Sequence, residues 1–426
     1  MEGLMNTIWT SFAVGSLLNV LAMAQPPLFT VTDLGAVGAA GQPFVITNHG
    51  LVSGAAVFPD SSLHGVLWYK GRKLDIATPG LKGPNSMAFG VNQWAQAVGE
   101  AQTLSSDPKG EDFCGFAALG LPSSGTSCLP FLWQNGVMNP LSTLGGNNGA
   151  ANQINNRGEV AGMAENDMTD TACPSAGPQK LQFKPVVWRN GKVQELPTYP
   201  GDPDGNAVAI NDHGQVAGGS GDCTAFSPIS LTNLQPLHAL LWEDGKATDL
   251  GNLGGTGHGN GIEAVNLNNH GQVVGNSDLT GDANFHAFLW TRETGMLDLG
   301  TLPGDANSAA NGINDAGDVV GVSLDASFNP RAFLRQNGTM TDLNTLIPAD
   351  SPLFLITACS INSDGEIIGI AVEKTSGNVH GYLVTPRQRK DHSESLSLAP
   401  QAVTDPMVLP ENAHQLLLSR LGIRGR

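Results

Sequence analysis

The sequence predicts an all-β fold, a seven-bladed β-propeller of four-stranded blades, and three observations support that prediction. A segment that reads Ile-Asn-Asp-Ala-Gly-Asp-Val-Val-Gly at residues 313–321 recurs, with small changes, along most of the chain. The copies are roughly 50 residues apart, a period typical of propellers and solenoids. The last copy lacks its final strand, and a matching segment precedes the first copy. The copies begin at Ile46, Val91, Ile154, Ile210, Leu267, Ile313 and Ile361.

Each copy divides into four short predicted strands, which the sixth copy shows most clearly. Its strands cover residues 308–314, 317–323, 330–336 and 338–344. Asn-x-x-Gly joins the first two, because asparagine stabilises tight turns through its own backbone and glycine adopts positive φ freely. The last two meet at Asn-Gly or Asp-Gly, a strong hairpin signal. The third strand is continuously apolar, as in His-Ala-Phe-Leu-Trp at 286–290, so neighbouring sheets should cover both of its faces.

The ends of the repeat region predict how the ring closes. The seventh copy ends after its third strand, at residues 380–384, without the Asp-Leu-Gly strand seen elsewhere. That strand is found instead at residues 31–35, ahead of the first copy. An N-terminal strand that completes the last blade would close the ring, whereas an open solenoid has no use for it. The span 30–385 corresponds to about 51 residues for each of seven blades.

The chain divides into three segments. Residues 1–24 are predicted to be a signal peptide, since 11–24 is apolar, too short for a membrane span, and ends in Ala-Met-Ala. Because no Lys or Arg precedes the apolar stretch and Glu2 is present, an uncleaved anchor is the alternative. Residues 25–386 form the propeller. Residues 387–426 form a linker and a short amphipathic segment, and no later stretch could span a bilayer once the signal is removed.

The composition suits a turn-rich exported protein. Of the 426 residues 54 are Gly, and only 14% are charged. The formal net charge is −17, and so acidic a body repels phosphate backbones, which argues against nucleic acid as a partner. We expect a monomer located outside the cell or in the periplasm.

The cysteines fit an oxidising compartment. Cys114, Cys128, Cys173 and Cys223 lie in insertions, where disulfides could form. A bridge between Cys114 and Cys128 would stay within one insertion, and a bridge between Cys173 and Cys223 would join neighbouring repeats. The sequence alone leaves the connectivity open.

These motifs resemble the HAF-type extracellular repeat of bacteria. The shared features are the His-Ala-Phe run followed by Leu-Trp, the Leu-Gly-x-Leu-Gly-Gly step at residues 250–255, and the Gly-Ile-Asn-x-x-Gly-x-Val-Val-Gly core. The resemblance covers nearly the whole body and implies export, but it brings no reaction and no catalytic residues. The chain departs from the pattern at Arg335 and Val384, where other blades have Trp, and at Ala95, where others have Gly.

Long insertions predict one decorated face. Residues 103–128, 166–182 and 221–236 separate the second and third strands of blades 2, 3 and 4, so they open on the same face as the links between blades. Loops on a rigid scaffold commonly carry binding sites, although loop tips also tolerate insertion without any ligand. The polar link residues expected to ring the axial opening, and proposed as ligand-binding, are Asn147, Asn148, Asp202, Asp204, His258, Asp305 and Asp350.

The chemistry of these candidates leaves several interpretations. Oxygen ligands could hold Ca²⁺, the one cofactor that these residues suggest, and paired carboxylates could act on a glycan. Ordinary turn chemistry explains the same residues without a ligand. A repeated His begins four third strands and is interpreted as a bridge within its own blade, and the repeated Trp as packing between blades. No hydrolase elbow or phosphate-loop motif is present. The bridging histidines are His64, His238, His286 and His380.

The sequence therefore predicts an exported binding scaffold that acts through its decorated face on an envelope glycan or protein. Two alternatives fit the same residues. One is a carbohydrate-active lyase or hydrolase with carboxylates at the axial opening, and the other is a purely structural surface module.

Overall fold

The computed structural model confirms the predicted ring of seven four-stranded antiparallel sheets. It describes residues 28–387 apart from 39–40, 78–79, 117–120, 122–124, 174–178 and 224–234. The predicted signal peptide and C-terminal amphipathic segment lie outside the described residues. Among those residues the single helix is a 3-10 turn, Leu343–Thr345. No helix in this part of the chain is long and apolar enough to cross a membrane.

The first strand, β1 (Phe29–Ala36), precedes blades 1 to 4, which follow one another along the chain. Blade 1 contains β2 (Gln42–Ile46), β3 (Val52–Val57), β4 (Leu63–Tyr69) and β5 (Arg72–Asp75). Blade 2 contains β6 (Ser86–Val91), β7 (Ala97–Ser106), β8 (Thr126–Gln134) and β9 (Val137–Pro140). Blade 3 contains β10 (Gly149–Ile154), β11 (Val160–Thr169), β12 (Leu181–Arg189) and β13 (Lys192–Glu195). Blade 4 contains β14 (Asp204–Ile210), β15 (Val216–Asp222), β16 (Gln235–Glu243) and β17 (Lys246–Asp249).

The remaining strands form blades 5 to 7. Blade 5 contains β18 (Ile262–Leu267), β19 (Val273–Asp278), β20 (Phe285–Thr291) and β21 (Gly295–Asp298). Blade 6 contains β22 (Asn307–Ile313), β23 (Val319–Leu324), β24 (Pro330–Gln336) and β25 (Thr339–Asp342). Blade 7 contains β26 (Leu353–Ile361), β27 (Ile367–Glu373) and β28 (Val379–Pro386), with β1 as its outer strand.

Ring closure occurs as predicted, through β1. This strand pairs antiparallel with β28 in a register that runs from Phe29 opposite Pro386 to Ala36 opposite His380. Phe29 is buried in a core cluster with Leu353 and Tyr382 of blade 7. The N-terminal end of the described chain therefore belongs to the blade made last.

The strand order defines two faces of the ring. The first strand of each blade begins at the link from the preceding blade and ends at a tight turn, which is Asn-x-x-Gly in blades 3 to 7. We call the side that carries the inter-blade links and the insertions the link face. The opposite side carries the first-to-second and third-to-fourth strand turns, and we call it the turn face.

Asparagine side chains organise the turn face. In blade 3, Asn155 Oδ1 accepts the backbone N–H groups of Arg157 and Glu159 at 3.0 and 2.9 Å, and Gly158 has φ of 77°. In blade 2, Ala95 takes φ of 57° at the position where other copies have glycine. The motif thus supplies the turn's hydrogen bonds from one side chain, which leaves the neighbouring positions open to variation.

The aromatic residues of the third strands pack as predicted. Trp188 is buried, and a Cβ atom on Gly162 of the second strand would lie 2.9 Å from its ring. Trp188 Nε1 donates to the carbonyl of Ser142 on the link from blade 2, at 2.8 Å. The glycine makes room for the indole, and the indole joins two blades.

The repeated histidines bridge strands within a blade in three of the four cases. His64, His286 and His380 each place Nδ1 about 2.9 Å from the Asp of the outer strand of the same blade. His238 differs, because its Nδ1 pairs at 2.8 Å with Asp202 on the link from blade 3. The structural interpretation is confirmed, with this change of partner.

Two disulfides fix the link-face insertions. Cys114 bonds Cys128 within the blade 2 insertion, and Cys173 bonds Cys223 between the insertions of blades 3 and 4. Both pairings considered from the sequence are therefore present.

Candidate functional site

The link between blades 2 and 3 places its two candidate residues against buried carboxylates. Asn148 is fully buried and donates Nδ2 to Asp107 at 2.9 Å and to Glu165 at 3.0 Å. Its Oδ1 accepts the backbone N–H of Cys128 at 2.9 Å. Asn147, half-buried, donates its backbone N–H to Glu165 at 3.1 Å. These contacts join the blade 2 insertion to blade 3.

A pair of buried glutamates lies beside this link. Glu111 Oε1, from the blade 2 insertion, accepts the backbone N–H groups of Lys180 and Leu181 of blade 3. Gln179 Nε2 bridges the pair, donating to Glu165 at 2.9 Å and Glu111 at 3.4 Å. Burial, followed by the charge of Glu111, raises the pKa of Glu165 to about 8, and burial also raises the pKa of Glu111. At neutral pH the two carboxyls therefore share a proton, which lets them lie side by side.

The link between blades 3 and 4 also directs its carboxylates inward. Asp202 Oδ2 accepts hydrogen bonds from the Ser220 hydroxyl at 2.5 Å and from His238 at 2.8 Å. Asp204 is fully buried, and its Oδ1 accepts the backbone N–H of Phe183 at 3.1 Å. Burial, together with the nearby Asp170, raises the pKa of Asp204 to about 9. Asp204 is therefore a neutral carboxyl group in the core at neutral pH.

The other three candidates differ in exposure. The side chain of Asp305 is buried and accepts a hydrogen bond from Arg331 at 2.7 Å, while Asp342 lies 3.7 Å from the same guanidinium. His258 and Asp350 are exposed. Of the seven candidates, then, Asn148, Asp202, Asp204 and Asp305 hold the fold together by internal bonds. Ligand binding by the seven remains a prediction.

A cavity on the axis of the ring lies on the turn face, lined by the ends of the inner strands. At the end of each inner strand from blade 2 to blade 7, an asparagine donates Nδ2 to the backbone carbonyl at the same position of the next blade, at 3.0–3.1 Å. Thr47 of blade 1 accepts the last of these bonds. These six hydrogen bonds run around the axis from blade 2 to blade 1. We call their donors the asparagine ring, and they are Asn92, Asn155, Asn211, Asn268, Asn314 and Asn362.

A second polar ring lines the mouth of this cavity, which has a volume of about 160 Å³. Asn156 donates its backbone N–H to Asp212 at 2.8 Å, and Asn269 donates to Asp315 at 2.8 Å. The side-chain amides of Asn156 and Asn269 also donate to those carboxylates. The polar groups at the axis are thus engaged with one another across blade boundaries.

An exposed tryptophan is the exception on this polar face. Trp94 lies in the inner turn of blade 2, with 71% of its surface exposed. Its Nε1 nevertheless donates to the backbone carbonyl of Asn156 in blade 3 at 2.9 Å. The equivalent positions in other blades are polar or small: His49, Arg157, His213, His270, Ala316 and Asp364. Trp94 was not singled out from the sequence, and this break in a polar turn position was the signal that could have found it.

A cavity of about 420 Å³ adjoins Trp94 between blades 2 and 3, and we call it the Trp94 pocket. Gln96 Nε2 donates to Gln134 Oε1 at 2.9 Å, which holds both amides in the wall. Arg157 forms an ion pair with Glu159 at 2.6 Å. The pocket is lined by Trp94, Gln96, Gln134, Asn135, Asn156, Arg157 and Gly158. It therefore combines one flat apolar surface with several amides and a guanidinium.

A related cavity of about 320 Å³ lies between blades 4 and 5, and its lining contains no aromatic residue other than His270. Gln215 donates to Glu243 at 2.7 Å, and Arg292 pairs with the same carboxylate. Both cavities lie between the turns of neighbouring blades, and Trp94 of the first corresponds in its turn position to His270 of the second.

Blade 1 contains a Ser-His-Asp arrangement that lacks a complete active site. The Ser62 hydroxyl lies 2.9 Å from His64 Nε2, and His64 Nδ1 lies 2.9 Å from Asp75. However, the same hydroxyl bonds Asp60 at 2.5 Å, and the Ser62 N–H also donates to Asp60. The N–H groups of Leu63 and Gly65 donate to side chains of blade 2. These donors are not available to an oxyanion.

Comparisons with known proteins give no family. No protein-family model matches the chain, and no curated protein matches it. Among solved structures, the chain is similar to an acylaminoacyl peptidase from Pyrococcus horikoshii, with 8% identity over 80% of this chain and 49% of that one, and a TM-score of 0.42. It is also similar to a Trypanosoma rangeli sialidase, with 10% identity over 84% and 59% of the two chains and a TM-score of 0.38.

A third similar structure is the six-bladed fucose-recognising lectin of Aleuria aurantia, with 8% identity, coverage of 84% and 93%, and a TM-score of 0.32. The chain spans about half the length of the peptidase. Similarities this weak carry no argument about function, so the evidence for a function has to come from the chain's own residues.

Proposed function

We propose that this chain is an exported carbohydrate-binding β-propeller whose sugar site is the Trp94 pocket. The observation that carries the proposal is an indole that is 71% exposed and yet fixed by a hydrogen bond to the next blade. Ligand binding to a platform that is already ordered loses little side-chain entropy. A large apolar surface held in water in this way is typical of a contact site.

The chemistry of the pocket suits a sugar ring. Such a ring has an apolar face of C–H groups and an edge of hydroxyls that both donate and accept hydrogen bonds. Trp94 offers a flat surface for the first, and the side-chain amides of Gln134 and Asn135 in the pocket lining offer donors and acceptors for the second. The acidic net charge of −17 favours a neutral glycan over a polyanion.

The expected setting is the cell envelope. The disulfides support an extracellular or periplasmic location because such bonds persist in oxidising compartments. Membership of the HAF-type repeat family and a monomeric state belong to the same proposal. Envelope glycans are the natural ligands for a protein in that location.

The test is binding of the secreted protein to a panel of soluble glycans, followed by calorimetry with any ligand found. Trp94→Ala should weaken binding by at least about 30-fold, the loss expected for a central aromatic contact. Trp94→Phe should retain most of the affinity. Because Trp94 is exposed, neither change should lower the melting temperature appreciably. Leu104→Ala, on the link face, is the control, and unchanged affinity in Trp94→Ala would refute the site.

A second candidate is a protein partner on the decorated link face. The observation that favours it is exposed apolar surface on the extended second strands of blades 2 and 3, where Leu104 is 71% and Met168 58% exposed. If the partner binds there, Leu104→Asp with Met168→Asp should abolish crosslinking to an envelope protein, and Trp94→Ala should leave it unchanged.

A further inference from the structure

Four metal-ligating side chains converge at the boundary between blades 3 and 4, on the link face. Asp170 and Cys173 follow β11, Asp204 begins β14, and Cys223 follows β15. One ligand atom from each lies within 4.8 Å of all the others. The group belongs neither to the Trp94 pocket nor to the axial cavity.

The spacing of these atoms approaches that of a tetrahedral site. Asp170 Oδ2 lies 3.3 Å from Cys173 Sγ and 3.4 Å from Cys223 Sγ. With zinc bonds of about 2.3 Å to sulfur and 2.0–2.2 Å to oxygen, an edge of a tetrahedron between the two ligand types is about 3.5 Å. The two sulfurs are bonded to each other, so they lie closer together than such a site requires and must separate before a metal can bind.

A second observation points to a missing partner. Asp204 is fully buried, and its Oδ2 has no hydrogen-bond donor. Buried carboxylate oxygens are nearly always bonded, since leaving one unpaired is costly. In the disulfide form, a proton shared with Asp170 can occupy this position. A cation could occupy it once the sulfurs separate.

We propose that reduction of the Cys173–Cys223 disulfide converts this cluster into a Zn²⁺ site of two thiolates and two carboxylates. A thiol or phosphine reductant supplies two electrons, the S–S bond breaks, and two protons complete the thiols. Zn²⁺ then displaces the two thiol protons and the proton shared by Asp170 and Asp204, releases all three to solvent, and binds Cys173, Cys223, Asp170 and Asp204. Mixed sulfur and carboxylate ligands in tetrahedral geometry favour zinc over calcium or magnesium.

The other disulfide provides an internal comparison. Beside Cys114 and Cys128 the cluster contains only one carboxylate, Glu100, whose Oε2 lies 3.7 Å from Cys128 Sγ. Three protein ligands make a weaker site than four. Blades 3 and 4 would remain joined in both redox states, by the disulfide or by the metal.

The experiment uses the full chain carrying Cys114→Ser and Cys128→Ser, so that one disulfide remains. After reduction with a phosphine and gel filtration with ZnCl₂, elemental analysis should find one zinc per chain, and the oxidised protein should bind none. Co²⁺ in place of Zn²⁺ should give the visible and charge-transfer bands of tetrahedral thiolate coordination. Competition with a chromophoric chelator gives the affinity.

Asp204→Asn and Asp170→Asn provide the decisive variants, because they leave both cysteines in place. Each should weaken zinc binding at least 10-fold in the reduced protein, while circular dichroism of the oxidised form verifies folding. Cys173→Ser with Cys223→Ser should bind no zinc. Absence of zinc from the reduced protein, or zinc affinity in both Asp variants equal to that of the protein with both aspartates, would overturn the proposal. The glycan-binding test at Trp94 is independent of this outcome.

Discussion

The link face and the turn face differ in the length of their connections and in what those connections leave exposed. On the link face the connections are long, but buried carboxyls such as Glu165, Asp204 and Asp305 bond the insertions and links to the blades beneath them. On the turn face the connections are short and regular, and both the exposed Trp94 and its pocket lie there. Loop length therefore does not by itself indicate a binding surface, because an insertion also needs polar groups to hold it in place.

The largest effect should come from the buried ion pairs of the link face. Arg331→Met would leave Asp305 and Asp342 without their cation, and both have side chains only about 1% exposed. We expect the free energy of unfolding to fall by about 3–5 kcal/mol. Denaturant titration measures this loss.

The matched control is on the turn face. Arg292 pairs with Glu243, but the two side chains are 64% and 38% exposed. Arg292→Met should cost less than about 1 kcal/mol. Similar losses for the two variants would remove the contrast between the faces.

The disulfide within the blade 2 insertion should have the next largest effect. Replacing Cys114 and Cys128 by Ser opens a loop closed over 14 residues, and we expect a loss of about 3 kcal/mol. Thermal unfolding with and without reductant checks the value. Sugar binding at the opposite face should be unaffected, and a parallel loss of binding would show that the two faces are coupled.

A smaller effect is expected from the asparagine ring of the turn face. Asn155→Ala removes the donor to the Asn211 carbonyl at 3.0 Å and the acceptor for two backbone N–H groups. The loss should be about 1–3 kcal/mol, measured by denaturant titration. Thr47 offers a comparison, because it occupies a ring position without an amide, and Thr47→Ala should cost less.

The smallest effect should be a change in pH dependence. The pKa values of Glu165 and Glu111 are raised on folding, so their contribution to stability is complete below their ordinary pKa near 4.5. That contribution is lost as pH rises toward the folded pKa of Glu165, about 8. Glu111→Gln keeps the acceptor and removes the shared proton, so it should flatten this fall by about 1 kcal/mol between pH 5 and 8.

The carboxylates of the turn face should contribute to stability with the opposite pH dependence. Hydrogen bonds and ion pairs lower the pKa values of Glu159 and Glu243, so their contribution is present above the ordinary pKa and is lost only in acid. Glu243→Gln should therefore leave stability between pH 5 and 8 unchanged. Melting temperatures across the pH range distinguish the two variants.

The sequence was sufficient to predict the ring because the ring depends on periodic residues. The turn asparagines, the third-strand aromatics and the displaced strand at 31–35 recur or fit the period, and β1 is found at Phe29–Ala36. Trp94 and the Glu111–Glu165 pair are not periodic. Exposure of Trp94 depends on how blade 3 meets blade 2, and the glutamates meet only because an insertion folds onto the next blade. The buried state of Asp204 and of the Asp305 side chain was not foreseen either, and for Asp305 it depends on the non-periodic Arg331.

The pairing of β1 with β28 constrains how the chain is made. Phe29 is among the first body residues to be synthesised, and its partner Pro386 is among the last. Until then the nascent chain has an unpaired edge and an incomplete hydrophobic seam. Bringing the ends of so long a loop together costs about 5 kcal/mol of chain entropy beyond a constant. Completion of the ring is thus a late event, and a prematurely terminated product would expose sheet edges prone to aggregation.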